Sequence, residues 1–159
     1  MKEAIIIFVR NPELGKVKTR LAATLGDEKA LDIYKQLLVH TMQVANESHA
    51  AKFVFYHEQI TNADVWNKNN FYKKLQSGTD LGEKMKNAFS DVFNEGYKKV
   101  IIIGSDCLQV NAAVMDEAFI SLDEKDTVIG PAKDGGYYLL GMKIVHEFLF
   151  YNKVWSTGT

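Results

Sequence analysis

The sequence contains little cysteine and little proline, and it has no long hydrophobic run. Its one cysteine, Cys107, excludes a disulfide within the chain and leads us to expect a reducing compartment. The chain contains only two prolines and has no low-complexity tract, which argues against several domains joined by linkers. A length of 159 residues fits one domain with a sizeable core, and we predict a single domain over 1–159.

No segment approaches the roughly 18 apolar residues that a membrane-spanning helix requires. The first apolar run is also too short for the core of a signal peptide. The formal net charge of −1 gives no overall basic field of the kind that attracts nucleic acids or membrane surfaces. We therefore expect a cytoplasmic protein that has no membrane span and no nucleic-acid partner.

Short apolar segments alternate along the chain with segments of helical spacing. The apolar segments predict strands at 4–9, 53–56, 71–75, 100–104, 127–130 and 137–142. Helices are predicted to begin at Asp27, Asp80 and Asn111, which can cap them, and a last helical turn or two is predicted around Val145. Alternating strands and helices predict an α/β fold with a mostly parallel sheet covered on both faces, and the hairpin at 127–142 predicts a mixed edge.

The loop after the first strand concentrates positive charge. It carries Arg10, Lys16, Lys18 and Arg20, while Gly15 would let backbone amides approach an anion. The loop lacks the glycine spacing and the Ser or Thr of a Walker P-loop. Since ligands of such sheets sit at the carboxyl ends of the strands, this loop is either a phosphate-binding loop or a solvated charged loop.

Other candidate residues follow later strands. Asp106 comes just after a buried strand, as a Mg²⁺ ligand or a turn residue. Asp134, Gly135 and Gly136 form either a plain hairpin turn or a loop over a substrate, in which Asp134 could share a metal with Asp106. Gln76 carries amide groups suited to reading a base edge, although its segment is equally typical of the start of a helix.

Four segments together resemble a known family. They are "FVRNPELGKVKTRLA", "QSGTDLGEKM", "IIIGSDC" and "GPAKDGGYYLLGM", and they match, in order, the bacterial family DUF2064, also called selenodomain-associated transferase 1. This family is placed in the glycosyltransferase-A superfamily, and it is similar to nucleotidyltransferases of molybdenum-cofactor dinucleotides and to guanylyltransferases of phospholactate or phosphoenolpyruvate. The resemblance implies a Rossmann-like three-layer α/β/α sandwich with a mostly parallel mixed sheet.

The resemblance also implies a transferase that uses a nucleotide-sugar or a nucleoside triphosphate as donor, a small-molecule acceptor, and Mg²⁺ or Mn²⁺. Its implied site comprises a phosphate loop, a base contact, a metal ligand that is also catalytic, and an acceptor border. The implied phosphate loop holds Arg10, Gly15, Lys18 and Arg20, of which Lys18 is nearest the phosphates and catalytic. Gln76, Gly78 and Leu81 would contact the base, and Asp106 would be the catalytic metal ligand. Asp134, Gly135 and Gly136 would border the acceptor.

Two departures from the family pattern leave a second hypothesis open. Leu108 stands where many glycosyltransferases of the superfamily have the second carboxylate of an Asp-x-Asp motif. Relatives generally continue beyond "VWST", so we expect the usual C-terminal extension to be missing. A chain without it could expose apolar surface and pair through that surface, so a homo-oligomer stays a hypothesis. The alternatives to an enzyme are a non-catalytic nucleotide- or sugar-nucleotide-binding protein and a plain interaction module. Whether transfer breaks a P–O or a sugar C–O bond also stays open.

Overall fold

The fold is built on one six-stranded sheet. The computed structural model describes residues 2–10, 15, 19–61, 64–66, 70–105, 110–131, 137–146 and 150, with the side chains at 19–21 and 131 outside that description. The strands are β1 Glu3–Val9, β2 Ala51–Tyr56, β3 Phe71–Leu75, β4 Lys99–Gly104, β5 Thr127–Pro131 and β6 Tyr137–Met142. The helices are α1 Thr19–Leu25, α2 Asp27–Asn46, α3 Leu81–Asn94 and α4 Ala112–Glu124.

The strand order is β3-β2-β1-β4-β6-β5. Strands β1 to β4 pair in parallel, and β6 pairs antiparallel with both β4 and β5. The predicted α/β fold with a mostly parallel mixed sheet is therefore confirmed. The antiparallel pairing of β5 and β6 confirms the hairpin, whose turn at 132–136 lies outside the described residues.

Two apolar cores cover the two faces of the sheet, which makes a three-layer arrangement. On one face the alternate residues Ile5, Ile7 and Val9 of β1 pack with side chains of α2 and α4. On the other face Ala4, Ile6 and Phe8 pack with side chains of α3. Because successive strand residues point to opposite faces, a strand buried on both sides reads as the continuous apolar run seen in the sequence.

All three predicted helices are present, and two of the three predicted N-cap residues are confirmed. Asp80 and Asn111 are the N-cap residues of α3 and α4, and their side chains accept hydrogen bonds from the amides of Glu83 and Val114. The capping role predicted for Asp27 is wrong: the N-cap of α2 is Gly26, which makes no side-chain cap, and Asp27 is the first helical residue. An acidic residue is still favourable there because the N-terminal end of a helix carries partial positive charge.

The structure differs from expectation at two further places. Helix α1 was not predicted, and it places Arg20 in a helix that follows the basic loop rather than in the loop itself. Its Arg, Leu and Ala residues are strong helix formers, which accounts for the helix. Val145 is not helical, since the chain leaves β6 through a bend at Lys143 and Ile144. The rest of the predicted last turn, 147–149, lies outside the described residues.

Among the described residues, every helix is too short or too polar to cross a lipid bilayer.

Candidate functional site

The carboxyl ends of the four parallel strands meet at one edge of the sheet. Arg10 follows β1, His57 follows β2, Gln76 follows β3 and Ser105 follows β4. The backbone ladder continues past the strands here, because the His57 amide donates to the Val9 carbonyl at 3.0 Å and the Gln76 amide donates to the Tyr56 carbonyl at 2.9 Å. The backbone at His57 and Gln76 is thus hydrogen-bonded to the neighbouring strands.

Helix α2 fixes the ends of the two central strands from one face. The Tyr34 hydroxyl accepts a hydrogen bond from the Arg10 amide at 2.9 Å and donates one to the Arg10 carbonyl at 3.0 Å. It also lies 3.4 Å from the Ser105 Oγ. The Thr41 hydroxyl contacts the carbonyl oxygens of both Ser105 and Leu37 at 2.9 Å. The backbone that leads into the basic loop and the backbone that leads into Asp106 therefore share one support.

Gln76 is engaged by the backbone of two strands. Its Nε2 donates to the Phe55 carbonyl at 2.9 Å and more weakly to the Val9 carbonyl at 3.4 Å. A hydrogen bond with the Gln76 side chain also acts on the His57 ring. The amide donors that could have read a base edge are thus occupied by the protein, and the side chain braces the ends of β1 and β2.

His57 stands beside two permanent cations. The ring Nδ1 lies 3.5 Å from the Nζ of Lys84 on α3. Burial, the Lys84 ammonium and the Arg10 guanidinium lower the pKa of His57 below its usual 6.5, against smaller opposing effects of Glu58 and Gln76. Neither Lys84 nor Arg10 forms an ion pair with any residue that the structure describes. We call Arg10, His57 and Lys84 the cationic cluster.

The segment before α3 is shaped to approach the start of that helix closely. Gly78 has φ of 139°, and a Cβ at this position would lie 2.9 Å from the Lys84 backbone nitrogen. The Ser77 carbonyl accepts a hydrogen bond from Asn87 Nδ2 at 2.9 Å. Leu81 is half-buried against the apolar core on the α3 face. Gly78 and Leu81 therefore hold the segment in place, and the structure brings both near Lys84.

The basic loop is described only in part. Gly15 has φ of 79°, and a Cβ there would lie 3.5 Å from Asp27 Oδ2 at the start of α2. Arg20 lies in α1, with its side chain outside the described residues. Lys18 is also outside them, as are Asp106 and the acceptor candidates Asp134, Gly135 and Gly136.

The described residues supply no metal-ligand set of their own. Among them, no group of three or more His, Cys, Asp or Glu side chains lies close enough together to hold an ion. The described charges at the strand ends are mainly cationic, which suits an anion and not a bare metal ion. A divalent cation at this edge would therefore depend on carboxylates such as Asp106.

The candidate residues selected from the sequence do not include His57, Lys84 or Tyr34. A signal for Lys84 exists, because a lysine in the first turn of a helix faces the positive end of the helix dipole and is unfavourable there without an anion. A signal for His57 is its position directly after a buried strand. Tyr34 gave no such signal, since a tyrosine at helical spacing is typical of ordinary core packing.

Known proteins provide an independent comparison. A family model described as an uncharacterized protein conserved in bacteria, DUF2064, matches residues 39–157. A crystal structure from Desulfovibrio desulfuricans G20, described as a candidate nucleotide-diphospho-sugar transferase, is 34% identical, with a TM-score of 0.86 over 96% of this chain and 69% of that one. No protein among those curated for function matches the sequence.

More distant structures share the fold alone. The 4-diphosphocytidyl-2C-methyl-D-erythritol synthase of Anaerococcus prevotii is 10% identical, with a TM-score of 0.59 over 94% of this chain and 72% of that one. A cytidylyltransferase of Leptospira borgpetersenii is 15% identical, with a TM-score of 0.57 over 94% and 62%. The family match over most of the sequence and the close relative together establish that this chain belongs to the DUF2064 family.

Proposed function

We propose that the protein is a nucleotide-dependent transferase that takes a nucleotide-sugar or a nucleoside triphosphate as donor and transfers a glycosyl or nucleotidyl group to a small-molecule acceptor. The observation that carries the proposal is the cationic cluster of Arg10, His57 and Lys84 at the carboxyl ends of β1 and β2. The Lys84 and Arg10 cations oppose protonation of the His57 ring in the free protein, and an anion among the three groups would offset their positive charge.

The position of the cluster supports a nucleotide over a simple anion. Ligands of parallel α/β sheets bind outside the carboxyl ends of the strands, where Arg10 and His57 lie. The relative from Desulfovibrio desulfuricans is described as a nucleotide-diphospho-sugar transferase candidate, and the cytidylyltransferases share the fold. The names of these proteins cover both kinds of transfer, so both stay within the proposal.

The described residues have distinct parts in this proposal. Arg10 offers forked donors and Lys84 a compact charge, and both would bind phosphate oxygens. Tyr34 and Gln76 would act through them as positioning residues, because they fix the backbone on which Arg10 and His57 stand. Orientation and preorganised charge would then supply most of the rate, with no covalent intermediate on the protein.

The remaining predicted residues complete the proposal from the sequence. Lys18 would neutralise the phosphates, and Asp134 with Gly135 and Gly136 would border the acceptor. Asp106 would hold Mg²⁺ or Mn²⁺, and a bound ion would supply charge neutralisation on the donor phosphates. The alternative function is nucleotide binding without transfer, which Leu108 favours because it removes a second carboxylate.

The test is donor binding with and without the cluster. Melting temperatures are measured over nucleoside mono-, di- and triphosphates and nucleotide-sugars, with and without Mg²⁺ or Mn²⁺, since a ligand of the folded state raises the melting temperature. Lys84→Gln should lose about 3- to 10-fold in affinity for the best ligand, as expected for one phosphate contact. Lys98→Gln is the matched control, because it removes the same charge before β4, at the opposite end of the strands.

Each result has a definite meaning. Equal affinity in Lys84→Gln and in the native protein would mean that the cationic cluster does not contact the nucleotide. If none of the nucleotides binds, the proposal is overturned. Binding without release of pyrophosphate or a nucleoside diphosphate, over a panel of sugar and phosphate acceptors, would select the binding protein over the transferase.

A further inference from the structure

A cavity of about 350 Å³ opens on the α2 face of the sheet, between α2 and the segment that follows β2. Its walls are apolar and mostly buried. They comprise Val9, Leu38, Val39, Tyr56, Val65 and Trp66. The volume lies at the small end of the range for small-molecule sites, which fits a ligand of modest size with an apolar body.

Among the described residues that line the cavity, the one carboxylate is Asp64, and its charge is already neutralised. Asp64 accepts a hydrogen bond from the Tyr56 hydroxyl at 2.5 Å and forms an ion pair with Lys73 at 3.2 Å. The Asp64 Oδ1 that pairs with Lys73 also accepts a hydrogen bond from the Trp66 amide at 3.0 Å. Asp64 therefore fixes the shape of the wall and leaves little negative charge for a ligand to meet.

The polar rim of the cavity carries positive charge. Arg10 and Lys35 line it, both are exposed, and neither forms an ion pair with a residue in the described part of the chain. A ligand whose body fills the apolar interior would thus have its polar end beside two cations. Charge complementarity requires that end to be anionic.

This cavity is separate from most of the cationic cluster. Val9 and Tyr56 belong to the core on the α2 face, while His57 is the next residue along the strand and contacts Lys84 of α3 on the other face. Arg10 is the residue that the two sites share. A ligand that fills the cavity would therefore contact the cationic cluster only through Arg10.

We propose that this cavity binds a small molecule with an aromatic or branched aliphatic body and one anionic group, a carboxylate or a phosphate. The half-buried Val39 and Val65 provide apolar surface for the body, with the buried rings of Trp66 and Tyr56 behind them, and Lys35 and Arg10 hold the anion at the rim. Side chains of β1, β2 and α2 enclose the cavity together with Asp64, Val65 and Trp66 of the segment after β2.

The experiment uses 4-phenylbutyrate and its uncharged isostere 4-phenylbutanamide as probes, with no nucleotide or metal present. The chain has two tryptophans, so a Trp155→Phe background leaves Trp66 as the sole indole reporter in the cavity wall. The carboxylate should change Trp66 fluorescence in a saturable way and bind about fivefold or more tightly than the amide, as two partly exposed charges would give.

Two variants and a control locate the binding. Lys35→Gln should lose about threefold in affinity for the carboxylate and none for the amide, because it removes charge at the rim alone. Lys29→Gln removes the same charge from an exposed position of the same helix and should change neither. Val39→Phe fills the cavity and should abolish binding of both probes, with the melting temperature showing that the variant is folded.

The proposal is overturned if the carboxylate gives no saturable signal at millimolar concentration, or if the amide binds equally well. It is also overturned if folded Val39→Phe binds as the native protein does. Because the titration contains no nucleotide, failure here leaves the proposed transferase function intact, and failure of nucleotide binding leaves this site intact.

Discussion

The hydroxyl of Tyr34 makes two hydrogen bonds with the backbone of Arg10: it accepts one from the amide at 2.9 Å and donates one to the carbonyl at 3.0 Å. Tyr34→Phe should therefore leave two partly buried backbone groups without a partner. We expect a loss of about 1–2 kcal/mol in the free energy of unfolding, measured by urea denaturation. Nucleotide affinity should fall as well, because Arg10 begins the basic loop.

The matched control is Tyr72→Phe. Tyr72 is 56% exposed on the edge strand β3, so its hydroxyl should contribute little, and the unfolding free energy should change by less than about 0.5 kcal/mol. Equal losses in the two variants would mean that Tyr34 stabilises the protein only as a ring in the core. Unchanged nucleotide affinity in Tyr34→Phe would separate Arg10 positioning from binding.

Gly78→Ala should be among the most damaging small changes near the site. Its φ of 139° is unfavourable for an L-residue, and the added Cβ would lie 2.9 Å from the backbone nitrogen of Lys84. Gly26→Ala is the control, because Gly26 also has a positive φ, of 94°, but open space around its Cβ position. Gly26→Ala should cost about 1–3 kcal/mol from conformation alone, and Gly78→Ala should cost measurably more in the same denaturation assay. A smaller cost at Gly78 would contradict the close approach to α3.

Asp64→Asn should destabilise the segment that encloses the cavity. The Asp64 and Lys73 side chains are only 13% and 14% exposed, and the variant leaves the Lys73 charge without its partner. We expect a loss of about 1–3 kcal/mol, less than for a fully buried pair because some solvent remains. Asp126→Asn removes a partner of Lys143 at 4.0 Å from an 82% exposed position, and it should cost close to nothing. Similar melting temperatures for the two variants would refute this interpretation.

The strands could be predicted from the sequence because a continuous apolar run is stable in such a fold where both of its faces are buried. Ala4–Val9 is apolar at successive positions, which a central strand between two helical layers requires, and the structure buries it on both faces. Asp80 and Asn111 were predictable for a similar reason, since a capping side chain satisfies a local backbone amide and needs no distant partner.

The site is less predictable because its residues act across the chain. Tyr34 meets Arg10 and Ser105 from positions far apart in sequence, and nothing in its local pattern distinguishes it from a core tyrosine. Gln76 was predicted to read a base, yet its Nε2 bonds the backbone of β1 and β2, a contact that requires the strand order. Roles that depend on strand neighbours cannot be read from periodicity.

His57 should make nucleotide binding depend on pH. Its pKa in the free protein is lowered from 6.5 mainly by burial, then by Lys84 and Arg10, so the ring is neutral near pH 7. A polyanion within the cluster would raise that pKa, and binding would then take up a proton. Affinity should therefore increase as pH falls through the pKa of the complex and level off below the pKa of the free protein.

Titration of the ligand is the competing effect, because terminal phosphates also take up a proton near pH 6. His57→Gln keeps a polar side chain that does not titrate, so the pH dependence that remains in this variant belongs to the phosphate. Calorimetry from about pH 8 to pH 6 should show proton uptake on binding in the native protein and less in the variant. The stability of the unliganded protein gives a second readout. The unfolded chain protonates its histidine first, so native stability should decrease as pH falls below 6.5, and His57→Gln should lessen that decrease. Identical proton uptake in both proteins would place the bound phosphates away from His57, on the side of the basic loop.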